Sequence, residues 1–182
     1  MTLTLSVTLV SVIGGLSAVL IFQDFDKNIN IDTENSKFTL DINATSGEIN
    51  NIEFTLPFNI TNAGYFDLEN LKLTLQIAIN YSQVDYPSPG LNETRTVIIL
   101  DKPESFGNIP KRSNRDFIYS VEYSDFIIEN FPDLATEVDL YSGPPILSFF
   151  ANLTISLDYS IGLHSLRFGV RSMPVGEYQG GV

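Results

Sequence analysis

From Lys37 onward, apolar and polar residues alternate with a period of two in segment after segment. Phe38, Leu40 and Ile42 share one parity, and Ile52, Phe54, Leu56, Phe58 and Ile60 share another, with Glu53, Thr55, Pro57 and Asn59 opposite them. Leu71, Leu73, Leu75, Ile77 and Ile79 form a third run, and Val97 to Leu100 is a short continuous apolar stretch. Phe117, Tyr119, Val121 and Tyr123 follow, then Phe149, Ala151, Leu153, Ile155, Leu157 and Tyr159, and finally Leu166, Phe168 and Val170. Successive side chains of a strand point to opposite faces, so each run predicts a strand with one face on a core and the other in water. Seven such strands predict an all-β domain over residues 37–172. Its expected form is a seven-stranded antiparallel β-sandwich of immunoglobulin- or fibronectin-III-like architecture.

Turn residues separate the runs: Asn62-Ala63-Gly64, Tyr86 to Gly90, Gly107 to Pro110, and Ser142 to Pro145. Pro57 lies within a strand and has no N–H for a ladder, which predicts an edge strand or a bulge there. Ser124 to Leu140 departs from the period-two pattern. Phe126, Ile127, Ile128, Phe131 and Leu134 are spaced as on a helix, so one short helix is expected across an end of the sandwich, interrupted by Pro132.

The N-terminal segment has a different pattern. Leu3 to Phe22 carries no charge, and twenty residues at about 1.5 Å each reach about 30 Å, the thickness of a bilayer's hydrocarbon core. A transmembrane anchor over residues 1–23 is the favoured reading. A cleaved signal peptide is the rival, although no basic residue precedes the apolar run and Leu16-Ser17-Ala18 is a poor cleavage site. Thr2 to Val12 also alternates, which fits a strand donated to a neighbouring subunit. Ser11 and Gly15, and Gly14 and Ala18, are small residues four apart, the spacing that lets membrane helices pack closely. Residues 24–36 read as an acidic juxtamembrane linker and 173–182 as a flexible tail. The acidic flank favours a single-pass protein of the cell membrane with its domain on the extracytoplasmic side.

The 182 residues include 22 acidic and 10 basic side chains, for a net charge of −12, which repels phosphate and argues against a nucleic-acid partner. Cysteine is absent, so disulfides, thiolate metal sites and cysteine nucleophiles are absent with it. Thirteen Phe and eight Tyr supply enough bulky side chains for a core without such cross-links.

The stretch Phe54-Thr-Leu-Pro-Phe-Asn-Ile-Thr-Asn-Ala-Gly64, followed by Leu68 and the alternating Leu71 to Ile79, resembles the opening of the late-embryogenesis-abundant group-two family. That family is also called the water-stress and hypersensitive-response (WHy) domain. The strand Phe117 to Tyr123, the helix-spaced Phe126 to Leu134 and the long strand ending near Tyr159 resemble its later layout. The likeness spans about residues 37–172 and departs at Asn62-Ala63, where the family usually has Asn-Pro. Archaeal members often follow a membrane anchor. The resemblance implies a seven-stranded sandwich with one helix and a binding or scaffolding role in stress tolerance, with no catalytic residues to transfer.

Asn-X-Ser/Thr acceptor patterns for N-linked glycans occur at Asn43, Asn59, Asn80, Asn92 and Asn152, on outward strand positions or in the Pro/Gly loop. Asp24, Asp26, Asn28, Asn30 and Asp32 alternate as the oxygen ligands of a calcium loop do. However, Ile29 stands where the turn needs Gly and Asn35 where bidentate ligation needs Glu. A polar linker explains these residues better. His164 is the only histidine and shares the inward parity of Leu166, no nucleophile-elbow motif is present, and no metal or cofactor is expected. Lys111-Arg112-Ser113-Asn114-Arg115 is the one basic cluster, read first as a solvated loop. The expected function is a membrane-anchored extracytoplasmic module that binds a protein partner or itself, rather than an enzyme. The alternatives are a subunit of a surface filament or envelope assembly, and an accessory subunit of a membrane complex held through Gly14 and Ala18.

Overall fold

A computed structural model of the chain describes residues 25–43, 48–84, 93–134, 136–139, 146–159 and 164–179. The anchor over 1–23, the donated strand Thr2 to Val12 and the packing positions Ser11, Gly14, Gly15 and Ala18 lie outside them. Asn92 and the two Pro/Gly turns at 86–90 and 142–145 also lie outside. Among the described residues no helix is long and apolar enough to cross a membrane.

One helical turn, α1 (Phe25–Asn28), leads into eight strands: β1 (Ile29–Ile31), β2 (Lys37–Ile42), β3 (Ile49–Thr61), β4 (Leu68–Gln83), β5 (Glu93–Ile109), β6 (Asn114–Val121), β7 (Leu147–Tyr159) and β8 (His164–Tyr178). They form two antiparallel four-stranded sheets. In the first, β3 pairs with β1 and β2 along one side and with β6 along the other. The second runs β5-β4-β7-β8. The apolar parities predicted for β3, β4 and β7 are the core: Leu71, Leu73, Leu75, Ile77 and Ile79 are fully buried, as are Leu56, Ile60, Phe149 and Tyr159. Aromatic contacts join the sheets at both margins. Phe58 of the first sheet meets Phe106 of the second edge-on at 5.2 Å, and Phe38 packs against Phe149 at 4.9 Å. Gly176, opposite Phe149 in the ladder, leaves room for Phe38, since a methyl group there would lie 2.6 Å from its ring.

Several expectations need correction. Among the described residues there are eight strands, because Ile29–Ile31, placed in the linker, pairs with Ile60, Asn59 and Phe58. The tail expected to be flexible from residue 173 continues β8 as far as Tyr178, paired to Leu147. No α-helix forms between Ser124 and Leu134. Two 3-10 turns, Tyr123–Asp125 and Ile128–Asn130, stand there instead. The amide of Ile127 donates to the carbonyl of Ile99 on β5, and the Asn130 side chain donates to that of Ile98. One amide and one side chain of the segment are thus spent on the edge of β5 while further amides close short i→i+3 turns, and Pro132 lacks the amide that would continue a helix. Pro57 sits in an interior strand. Its carbonyl accepts from Asp32, so its nitrogen faces the gap between β1 and β2, where no ladder donor is needed. The apolar run at Val97 to Leu100 contains a bulge: Ile77 pairs with Leu100 and Ala78 with Ile98, so Ile99 is the extra residue and both Ile99 and Leu100 are buried.

The chain changes sheet twice at one end, between β3 and β4 and between β5 and β6. Asn62 ties the two crossings together. Fully buried, it accepts from the Gly64 amide through Oδ1 (3.0 Å) and donates from Nδ2 to the carbonyls of Phe66 (2.8 Å) and Ile109 (3.1 Å). Its own amide donates to Ser113. The hydroxyl of buried Tyr159 accepts from the amides of Tyr65 and Phe66 in the same loop.

Replacing Asn62 by Ala strands two carbonyls and one amide away from water, an expected loss of about 3 kcal/mol of unfolding free energy in urea titrations. Asn62→Asp should be at least as damaging, because a carboxylate cannot donate to either carbonyl. Tyr119 supplies a second test. Its buried hydroxyl donates to the Lys102 carbonyl at 2.7 Å. Burial pushes its phenol well above the ordinary value, and the carboxylates of Glu104, Asp125 and Asp101 push it further. Stability should therefore be level with respect to this group below about pH 10 and decline as pH rises beyond it, because only the unfolded chain ionises readily there. Tyr119→Phe should flatten that alkaline decline and cost about 1 kcal/mol at neutral pH.

Candidate functional site

The outward face of the second sheet is concave and polar. Thr74 and Gln76 of β4, Asp101 of β5, Asn152 and Thr154 of β7, and Arg167 and Arg171 of β8 surround an open groove of about 870 Å³. Period-two alternation puts Thr74 with Gln76, and Asn152 with Thr154, on the side opposite the buried leucines. Gly169 lies between the arginines and faces Thr154. A methyl group there would come within 2.7 Å of the Leu153 carbonyl, so this row of β8 has no room for a side chain.

A bulge shapes the groove. Leu153 pairs with Val170 and Ala151 with Met173, so Arg171 and Ser172 together stand opposite Asn152 alone. Ser172 takes a left-handed backbone, with φ of 55°, and its amide donates to Asn152 Oδ1 at 2.9 Å. Asn152 Nδ2 donates in turn to Gln76 Oε1 at 3.1 Å. One carboxamide thus bridges β4 and β8 across β7 and fixes the groove floor. Above it, Arg167 and Arg171 are exposed and make no hydrogen bond or ion pair among the described residues. This arrangement can hold an anionic or hydroxyl-rich ligand by hydrogen bonds and charge. Neither arginine was singled out from the sequence. The signal was available in principle, because Arg167, Gly169 and Arg171 share one parity on a strand whose other parity is apolar.

The acceptor asparagines separate by geometry. Asn59 Nδ2 donates to Asn114 and Asp116 on β6, and Asn80 Oδ1 accepts from the Thr96 hydroxyl. Asn43 stands just after β2, at the head of a turn that its amide closes on Glu48. All three lie at the surface as expected, but the structure does not bring them together. Asp24 lies outside the described residues, and the rest of the calcium-like run divides between α1, β1 and the turn after it. Asp32 there accepts from the amide and side chain of Asn35, which lowers its carboxyl pKa. His164 opens β8 opposite Tyr159. Among the described residues no three of His, Asp and Glu cluster as metal ligands would.

The sequence matches no protein-family model and no curated protein. Solved structures give distant likenesses. The sporulation control protein Spo0M of Bacillus subtilis aligns at 13% identity with a TM-score of 0.32, and the chain spans about half of its length (49%), with 80% of this chain covered. A Northeast Structural Genomics Consortium target, SoR45, aligns at 13% identity and a TM-score of 0.34, covering 85% of this chain and 88% of its own. The putative ApaA protein of Bordetella pertussis aligns at 9% identity and a TM-score of 0.28, covering 84% and 92%.

Asn152→Ala should release the Ser172 amide, which would then exchange with deuterium at least tenfold faster, at a cost of about 1 kcal/mol in overall stability. If Asn152 only decorates the surface, the exchange rate at Ser172 will not move.

Proposed function

We propose that this chain is a membrane-anchored, extracytoplasmic β-sandwich of immunoglobulin- or fibronectin-III-like type that acts as a binding module rather than an enzyme. The groove on the outer face of the second sheet is its recognition surface. The observation that carries the reading is the Asn152 bridge. A hydrogen-bond network that ties three strands together along the floor of an open, polar, arginine-flanked concavity is what a preorganised binding face requires. The uncharged run Leu3 to Phe22 supplies the anchor in this proposal, and the acidic residues that follow it favour the outside for the sandwich. A partner that presents carboxylates or phosphates suits Arg167 and Arg171, and charge on the two guanidiniums sets its capture rate more than its final affinity. The WHy resemblance adds a stress-tolerance setting to the same proposal. Self-association through the leader, as in a filament, has no support comparable to the groove.

Protease added to intact cells should degrade residues 25–182 and leave the apolar leader in the membrane fraction. Complete protection of the sandwich overturns the outside placement. A photoreactive side chain at Gln76 of the full-length protein should give a cross-linked species in native membranes. Arg167→Glu with Arg171→Glu should abolish that species without altering the circular-dichroism spectrum. If cross-linking survives the double reversal, the groove is not the recognition surface.

A further inference from the structure

The margins of the two sheets are unequally protected. β8 is interrupted by two register shifts and by Pro174. β5 carries Lys102 and Pro103, and its carbonyls at Ile98, Ile99 and Lys102 accept from the Asn130 side chain, the Ile127 amide and the Tyr119 hydroxyl. The β1–β2 margin is broken by the turn at Asp32 to Ser36 and by a register shift between Asp41 and Ile42. β6 has none of these devices. It pairs with β3 from Asn114 to Val121 without a shift and holds no proline or glycine. Its two charges lie at its start, where Arg115 donates to the Asn108 carbonyl and Asp116 accepts from Asn59. An edge strand so built is a template for another strand.

The direction of its free groups follows from Pro57. The Pro57 carbonyl accepts from the Asp32 amide on the side away from β6, so Pro57 and Ile118 face each other without mutual hydrogen bonds. The bond from the Asn62 amide to the Ser113 carbonyl, an odd number of positions along the same ladder, fixes the same alternation. Asp116, Ile118 and Ser120 therefore turn their N–H and C=O groups to the open margin, and among the described residues nothing takes them. Their side chains stand on the exposed outer face. Ile118, at 65%, is the most exposed large apolar side chain among the described residues, and Pro57 is its neighbour across the ladder.

We propose that β6 is a homodimer interface: two copies of the chain pair antiparallel, edge to edge, with the twofold axis at Ile118. The strand is self-complementary in this register. Ile118 meets its own counterpart and Asp116 meets Ser120, and each such pair exchanges two main-chain hydrogen bonds. Between them Phe117 meets Tyr119. Other registers are worse. An axis at Phe117 would set Ile118 against Asp116, and one at Tyr119 would set Asp116 against Glu122. Axes at Asp116 or Arg115 would oppose like charges directly. At Ile118, the exposed isoleucine and Pro57 of both copies come together beside the axis and leave water. The two first sheets become one continuous sheet, and the groove on the second sheet stays open.

Full-length protein in detergent should be followed by sedimentation velocity over a concentration series and by residue-resolved amide exchange. The expected result is a monomer–dimer equilibrium. In the dimer the amides of Asp116, Ile118 and Ser120 should exchange about tenfold slower, while those of Phe117 and Tyr119, already bonded to β3, do not change. Ile118→Lys puts like charges at the axis and should weaken the dimer about tenfold without altering the circular-dichroism spectrum. Ile98→Lys, on the other sheet, should leave the dimer intact. A chain that stays monomeric up to about millimolar concentration overturns the proposal. So does a dimer indifferent to Ile118→Lys, which places the contact on the leader or another surface. Assemblies larger than a dimer that protect the β6 amides point to a donated Thr2–Val12 strand, and protection that persists in a monomer points to cover from the same chain. Either result overturns the pairing of β6 with itself.

Discussion

The chain must leave one sheet and join the other without exposing its backbone to an apolar core, and the carboxamide of Asn62 makes this possible at one end. Both crossings pass beside it, and neither has a regular ladder there to absorb its peptide groups. A buried carbonyl without a donor costs as much as a well-made hydrogen bond contributes, so a loop packed this tightly needs internal donors. Asn62 donates twice and accepts once within one side chain, a combination that neither Asp nor Ser can offer. Tyr159 supplies the complementary acceptor from β7, which brings the second sheet into the same network. With that end closed, β3 and β4 are held face to face, and their alternating apolar residues are compelled to meet.

Alternation was sufficient to read the core strands but not their limits. Where a strand has one wet face and one dry face, as in β3, β4 and β7, period two identifies nearly every buried residue. Charge hides a strand that sits at a sheet edge. The second half of β5, from Asp101 to Ile109, contains Lys102, Pro103 and Glu104 and reads as a loop, yet it pairs with β4 over its length. Proline and charge are tolerated there because β5 has a free edge, where a missing donor faces no partner strand. The bulge at Ile99 produced the continuous apolar run that breaks alternation. β1 escaped notice because a three-residue strand has no period to detect.

The helix expected between Ser124 and Leu140 failed for a related reason. Helical spacing of apolar residues reports that one side of a segment is buried, not how its amides are bonded. Phe126 is buried and Phe131 half-buried as a helix would have placed them, but Ile127 donates to β5. An open strand edge is a stronger attractor for a short segment than its own weak helix, especially with Pro132 near the middle. The groove was equally hidden in the sequence. Its residues come from four strands, and which of them stand side by side depends on an inter-strand register that no single-strand pattern reports.

Edge management and function converge in β8. A long strand at the margin of a sheet invites pairing with another chain, and two register shifts and Pro174 interrupt that invitation here. Arg171 stands on the outer face with Arg167 by ordinary alternation, and the bulge adds Ser172 beside it opposite Asn152, next to Val170, which is 42% exposed. A straight β8 would keep Arg171 on the face of Arg167 but would lose the extra residue, Ser172, whose amide donates to Asn152 in the groove floor. Asn152 stabilises that irregularity by taking the Ser172 amide that the broken ladder leaves without a strand partner. The irregularity that guards this margin against pairing therefore also supplies the amide that Asn152 holds in the floor of the candidate recognition surface.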